Sequence, residues 1–133
     1  MGRVFFDTRK NIKNVNAAYA ILPQDSGAVF MLDITGGYDI SLPNASDAQE
    51  GFHCIFYVKT AHASTVTISA TAGDGDNMLM QAHSLDGTDR QVTAADVLSL
   101  VQPEKGDRID LVCDGTSWYV NAWVADDGHA ALA

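Results

Sequence analysis

The sequence predicts an all-β fold: a single-domain antiparallel β-sandwich or barrel, jelly-roll-like, of about nine short strands with an extended N-terminal arm. Three observations predict it. Apolar residues recur with period two in short runs along the chain. Clusters of Gly, Asp, Asn and Pro punctuate those runs. The acidic residues are nearly all Asp, which suits turns where Glu suits helices. At 133 residues the chain is long enough to bury a core as one domain without metals or disulfides.

Taken in order, residues 1–16 read as a basic extended arm, residues 17–125 as the sandwich and residues 126–133 as a flexible tail. Within the sandwich, strands are expected around 17–22 and 28–34. "YDISLP" then places Tyr38, Ile40 and Leu42 on one face and Asp39 and Ser41 on the other. In "FHCIFYVK", Phe52, Cys54, Phe56 and Val58 form one row and His53, Ile55, Tyr57 and Lys59 the second, the pattern of a central strand covered on both sides. "TVTISAT" alternates Val66, Ile68 and Ala70 with hydroxyl residues. Further strands fall near 78–81 and 97–101, and "TAADVLSLV" is the one stretch where a helical turn competes.

"DRIDLVCDGTSWYVNAW" closes the series. Asp114-Gly115 is a two-residue turn signal for a type I′ hairpin. That turn pairs Cys113 with Thr116, Leu111 with Trp118 and Ile109 with Val120. Trp118 then joins the apolar row Ile109, Leu111, Val120 and Ala122, which is core. Tyr119, Asn121 and Trp123 face the other way, where an exposed Tyr–Trp pair can anchor a protein interface or stack on a sugar.

Net charge is −9, and its sign is unevenly spread. Arg3, Arg9, Lys10 and Lys13 against Asp7 give the first 13 residues +3, whereas four basic and sixteen acidic residues give the remainder −12. So acidic a body repels phosphate backbones, so no nucleic-acid partner is expected. No apolar run approaches the roughly 20 residues that span a bilayer, and the N-terminus lacks a secretory pattern. The expectation is a soluble protein made in a cytoplasm, with no membrane partner. The arm also carries Val4, Phe5 and Phe6, so Arg3, Phe5, Phe6, Arg9, Lys10 and Lys13 form a candidate anchoring surface, with Tyr119 and Trp123 a second.

No chemistry-bearing motif survives its spacing test. "GDGDN" clusters Asp74, Asp76 and Asn77, but Met78, Leu79 and Leu85 stand where an EF-hand needs an oxygen ligand, Gly and Glu. His53, Cys54, His62, His83, Cys113 and His129 lack zinc-ligand spacing. Cys54 and Cys113 lie on apolar strand phases, as small buried hydrophobes or as a bridge between packed sheets. There is no Gly-x-Ser-x-Gly elbow and no phosphate-cradling Gly loop. The chain is therefore expected to be no enzyme and to carry no cofactor or metal.

"DRIDLVCDGTSWYV" resembles the closing hairpin of small β-structured virion proteins of tailed bacteriophages: an apolar strand, an Asp-Gly-Thr turn, then Trp-Tyr-Val. "QDSGAVFMLDITGGYDISLPNASDAQEGFHCIFYV" is similar in style, and the resemblance covers roughly residues 18–120. It implies a capsid decoration (cement) protein on the capsid exterior, with the major capsid protein and its own copies as partners, in a homotrimer. A head-fibre or tail-associated virion module is the alternative within that family. A carbohydrate-binding β-sandwich using Tyr119 and Trp123 is the alternative outside it.

Overall fold

The computed structural model describes residues 10–33, 36–60, 64–70, 78–87 and 89–132. Its strands are β1 (Ile12–Val15), β2 (Tyr19–Ala20), β3 (Val29–Asp33), β4 (Tyr38–Ser41), β5 (Glu50–Thr60), β6 (Val66–Ser69), β7 (Met78–Ser84), β8 (Arg90–Ala95), β9 (Val97–Leu100), β10 (Arg108–Asp114), β11 (Trp118–Val124) and β12 (Ala130–Leu132). A single turn of helix, α1 (Ala45–Ala48), precedes β5. They form a seven-stranded sheet in the order β1-β3-β5-β10-β11-β7-β8 and a five-stranded sheet in the order β12-β9-β6-β4-β2. The fold is an all-β, sandwich-like single domain.

Half of the ladders are parallel, where the turn signals suggested hairpins throughout. Strands β1, β3 and β5 lie side by side in parallel in the large sheet, and β2, β4 and β6 do the same in the small one. Each connection among these first six strands carries the chain across to the opposite sheet instead of folding it back on its neighbour. Winding in this way returns every second strand in the same direction. Antiparallel pairing begins with the later strands, in β5–β10–β11, β7–β8 and β6–β9–β12.

The inward rows of both sheets merge into one core. Phe30, Leu32, Phe56, Leu111 and Trp118 of the large sheet share it with Ile40, Val66, Ile68, Leu98 and Leu100 of the small one. Phe30 stacks on Phe56 at 5.2 Å, and Phe52 meets Trp118 edge-on at 5.5 Å and 84°. The Trp118 indole N–H is buried without a hydrogen-bond partner. Cys54 and Cys113 are buried thiols on the inner rows of adjacent strands of one sheet and form no disulfide, and burial pushes the Cys54 thiol pKa far up. Strand β5 is central, but only its inner row is fully buried: on the other, Ile55 and Tyr57 are half-buried and His53 and Lys59 are exposed.

Residues 12–15 and 130–132 are more tightly integrated than their composition suggests. Residues 12–15 of the expected arm form the edge strand β1, because a buried carboxylate holds them there. Asp25, 4 % exposed, accepts hydrogen bonds from Lys13 Nζ at 2.8 Å, Tyr19 Oη at 3.1 Å and the Leu22 amide at 3.0 Å. Tyr38 of the small sheet reaches across to the Val15 carbonyl at 2.9 Å. Burial, with the Asp33 charge adding to it, pushes the Tyr38 phenol up to about 12. At the other end, residues 130–132 of the expected flexible tail pair with β9, and Ala130 is fully buried. Asp107, 5 % exposed, binds that return: it accepts from the Glu104 and Ala125 amides, and His129 Nδ1 lies 3.8 Å away.

The closing hairpin has a register two residues away from the expected one: Cys113 pairs with Trp118, Leu111 with Val120 and Ile109 with Ala122. Positive φ falls on Gly115 (+91°) and not on Asp114, so the turn takes Gly115-Thr116 as its central pair, with Gly first as in II′ turns. Asp114 drives this choice by accepting the Thr116 and Ser117 amides on one carboxylate oxygen, at 2.8 and 2.7 Å. A slip of two preserves the side of every residue, whereas a slip of one would have inverted them. Trp118 is accordingly core.

Three outcomes are expected. Trp118→Ala should cost about 3–5 kcal/mol in urea unfolding, whereas Trp118→Phe should cost far less, since the N–H it removes satisfies nothing. Gly115→Val should cost about 1–3 kcal/mol, because a β-branched residue resists φ of +91°. For Asp25, burial pushes its pKa up, but the Leu22 amide and then Lys13 and Tyr19 outweigh it and leave the carboxyl below its ordinary value. Its contribution is thus fully present above the unfolded pKa of about 4 and fades as pH falls through the lower folded value. Asp25→Asn should lower the melting temperature at neutral pH and flatten the acid limb of the stability profile.

Candidate functional site

The pleat that sends Trp118 inward turns the alternate residues of β10 and β11 to the outer face of the large sheet. Register aligns them into three rows across the strands. The first runs Tyr57, Arg108, Trp123, His83; the second Ile55, Asp110, Asn121, Gln81; the third His53, Val112, Tyr119, Leu79. Val112, Tyr119 and Trp123 are 45 %, 46 % and 44 % exposed, so both ends of this face present apolar surface and its middle is polar.

In the first row Arg108 bridges two aromatic rings. Its guanidinium carbon lies 5.6 Å from the Tyr57 ring centroid and 5.3 Å from that of Trp123. Asp110 holds the guanidinium in a bidentate pair, at 2.8 and 2.9 Å, which fixes its plane. On the other side of β11, His83 stacks on Trp123 at 6.1 Å and 24°, and its Nδ1 lies 3.4 Å from Asp89. Trp123 is therefore flanked by groups from both neighbouring strands. It remains 44 % exposed between them.

Tyr119 is employed differently. Its hydroxyl donates to Asp114 at 3.0 Å, the carboxylate that also organises the hairpin turn. The Asp114 pKa is lowered, chiefly by the Ser117 and Thr116 amides, and that of Tyr119 is raised by its bond to Asp114. Four residues of extended chain separate Tyr119 from Trp123, about 13 Å. The two rings are separate stations divided by Asp110, Asn121 and Gln81, and they form no common platform.

Beside the first row opens a cleft of about 390 Å³, walled by His83, Trp123, Val124 and Ala125 and rimmed by Glu104 and Lys105. Leu85, 89 % exposed, stands at its mouth. Among the described residues, no three His, Cys, Asp or Glu side chains converge on a point that suits a metal ion.

The arm residues are dispersed. Arg3, Phe5, Phe6 and Arg9 lie outside the described residues, as do His62, Asp74, Asp76 and Asn77. Lys10 is exposed at the foot of β1. Lys13 is committed within the domain to Asp25, which raises its pKa above the ordinary lysine value. Sequence reasoning missed Arg108, His83 and Leu85. Arg108 and Tyr57 were visible as outward-phase residues, but their meeting with Trp123 and His83 depends on the order of four strands. No protein-family model matches this sequence, and no curated protein matches it.

Proposed function

We propose that the chain is a virion structural module, a capsid decoration protein of tailed-phage type that binds the assembled head shell and stabilises it. The observation that carries the reading is the Tyr57–Arg108–Trp123–His83 row. Trp, Tyr and Arg are the residues that most often dominate protein–protein binding energy, and here they are already ordered on a rigid sheet. Little side-chain entropy is then lost when a partner closes over them. The resemblance of the closing hairpin and of "YDISLP" to phage virion proteins supports the same reading, and the choice of a homotrimer rests on that resemblance alone. A protein that binds only the assembled shell shifts the balance from disassembly to assembly by mass action.

The row favours a protein partner over a sugar. A stacking platform presents the face of a ring, whereas both flanks of Trp123 are occupied by Arg108 and His83. A half-exposed indole flanked by a cation and a second aromatic suits burial against a partner protein's surface.

Trp123→Ala should weaken association by about thirtyfold, the equivalent of about 2 kcal/mol for a hot-spot residue, and leave the melting temperature nearly unchanged. Light scattering reads self-association and co-sedimentation with phage heads reads shell binding. A strict monomer at high concentration that also fails to sediment with heads would overturn the proposal. Glycan binding lost in Trp123→Ala would put the sugar-binding reading in its place.

A further inference from the structure

The cleft beside Trp123 lies at one end of the large sheet, where β11 runs out between β10 and β7. Two ordered turns flank it. On the β7 side, the Gly87 amide donates to the Ser84 carbonyl at 3.1 Å, and the Ser84 hydroxyl donates to the Asp86 carboxylate. Leu85 takes the first central position of that turn, where Pro and polar residues are usual. It is 89 % exposed, yet its amide is held by the Val124 carbonyl at 3.1 Å, so an ordered backbone projects this leucine into water. On the β10 side, buried Asp107 fixes residues 104–107 by accepting the Glu104 amide at 3.0 Å. Gly106 in that turn has no side chain and leaves open space at the cleft wall.

We propose that a second copy of this chain docks on this face about a twofold axis running along β11. Each Leu85 enters the other copy's cleft beside Gly106, and each Lys105 meets the other copy's Asp86. The inference rests on reading the Trp123 row as a protein-binding surface, and it gives that surface a twofold pair where the resemblance alone implies a trimer.

Self-complementarity singles out this partner. One patch carries a projection on one side of β11 and a hollow on the other. Rotation by 180° about an axis along β11 lays each over its counterpart, the condition for an isologous contact. Trp123, on β11 itself, then sits beside the axis, where it is shielded together with Leu85. Charge agrees with the same crossing. Two copies of net −9 repel unless their contact brings unlike charges together. Beyond residue 13 the chain has four basic residues, and two of them, Lys105 and Arg108, border this face. Arg108 is spent on Asp110, whereas Lys105 is exposed and takes no ion pair among the described residues. The rotation sets it between Glu104 of its own turn and the other copy's Asp86, one cation between two carboxylates.

Sedimentation and disulfide trapping test the pair. The protein should sediment as a concentration-dependent dimer of the 14.2 kDa chain. Leu85→Asp should weaken pairing about a hundredfold, as expected for a central hot-spot residue, with an unchanged circular dichroism spectrum because Leu85 makes no core contact. Lys105→Glu should weaken it as well, and Asp86→Lys added to Lys105→Glu should restore it. Asp86→Cys with Lys105→Cys should give a covalent dimer under mild oxidation. Within one chain the two positions flank β11 and are separated by two strand spacings, about 10 Å, too far to bridge. Cys54 and Cys113 are buried and stay out of the exchange. Lys105→Cys alone should not bridge, since the axis keeps the two lysines apart. A monomer at high concentration, a dimer untouched by Leu85→Asp, or cross-linked trimers and ladders from the double cysteine variant would each overturn the twofold pair. A monomer that still sediments with phage heads would overturn this inference and leave the proposed function standing; a monomer that does not would remove both.

Discussion

The double pairing of β10, with β5 on one side and β11 on the other, is the constraint on which the rest of the structure depends. It joins the coil of the first six strands to the later hairpins, and it lies in the middle of the large sheet. Its pleat also sorts the side chains. Ile109, Leu111 and Cys113 go to the core, where β11 delivers Trp118, Val120 and Ala122 opposite them. Arg108, Asp110 and Val112 go to the outer face. Core and surface are thus two readings of one register, and a one-residue slip would exchange them.

That coupling explains why the outer face is so ordered. An arginine on a loop would spend its guanidinium in many positions. Arg108 is held by Asp110 two residues along its own strand and by rings on both neighbouring strands. Each contact alone is modest, since such cation–π pairs contribute about 0.5–1 kcal/mol at exposed sites. Together they give one geometry to groups that would otherwise sample several, and that geometry is carried by backbone hydrogen bonds.

The faces of the strands were legible in the sequence because alternation is a local property. "FHCIFYVK", "YDISLP" and "DRIDLVC" each show which residues point inward, and Phe52, Cys54, Phe56, Ile40, Ile109 and Leu111 are buried as their phases require. Strand direction was not legible. "TGG" and "QDSG" mark places where the chain bends, but the same residues serve a hairpin and a crossing to the other sheet. The hairpin register failed for a related reason. Asp114-Gly115 reads as a turn centre, yet the Asp114 side chain captured the two amides beyond Gly115 and moved the centre by one residue. At the candidate site Tyr119 and Trp123 were visible from phase alone. Their separation, and the presence of Arg108 and His83 around only one of them, follows from neighbouring strands that sequence distance does not reveal.

Strand β1 has one further consequence. It is an edge strand that runs parallel to β3, with residues 1–11 before it in the sequence and Lys13 bolted to Asp25 within the domain. A pull applied through those leading residues, along the strand axis, loads the β1–β3 ladder in shear. All of its hydrogen bonds and the Lys13–Asp25 pair then share the force at once, where a pull across the strands would open them one after another. A domain tethered through this end is therefore mechanically strongest along the one direction in which its chain enters the sheet.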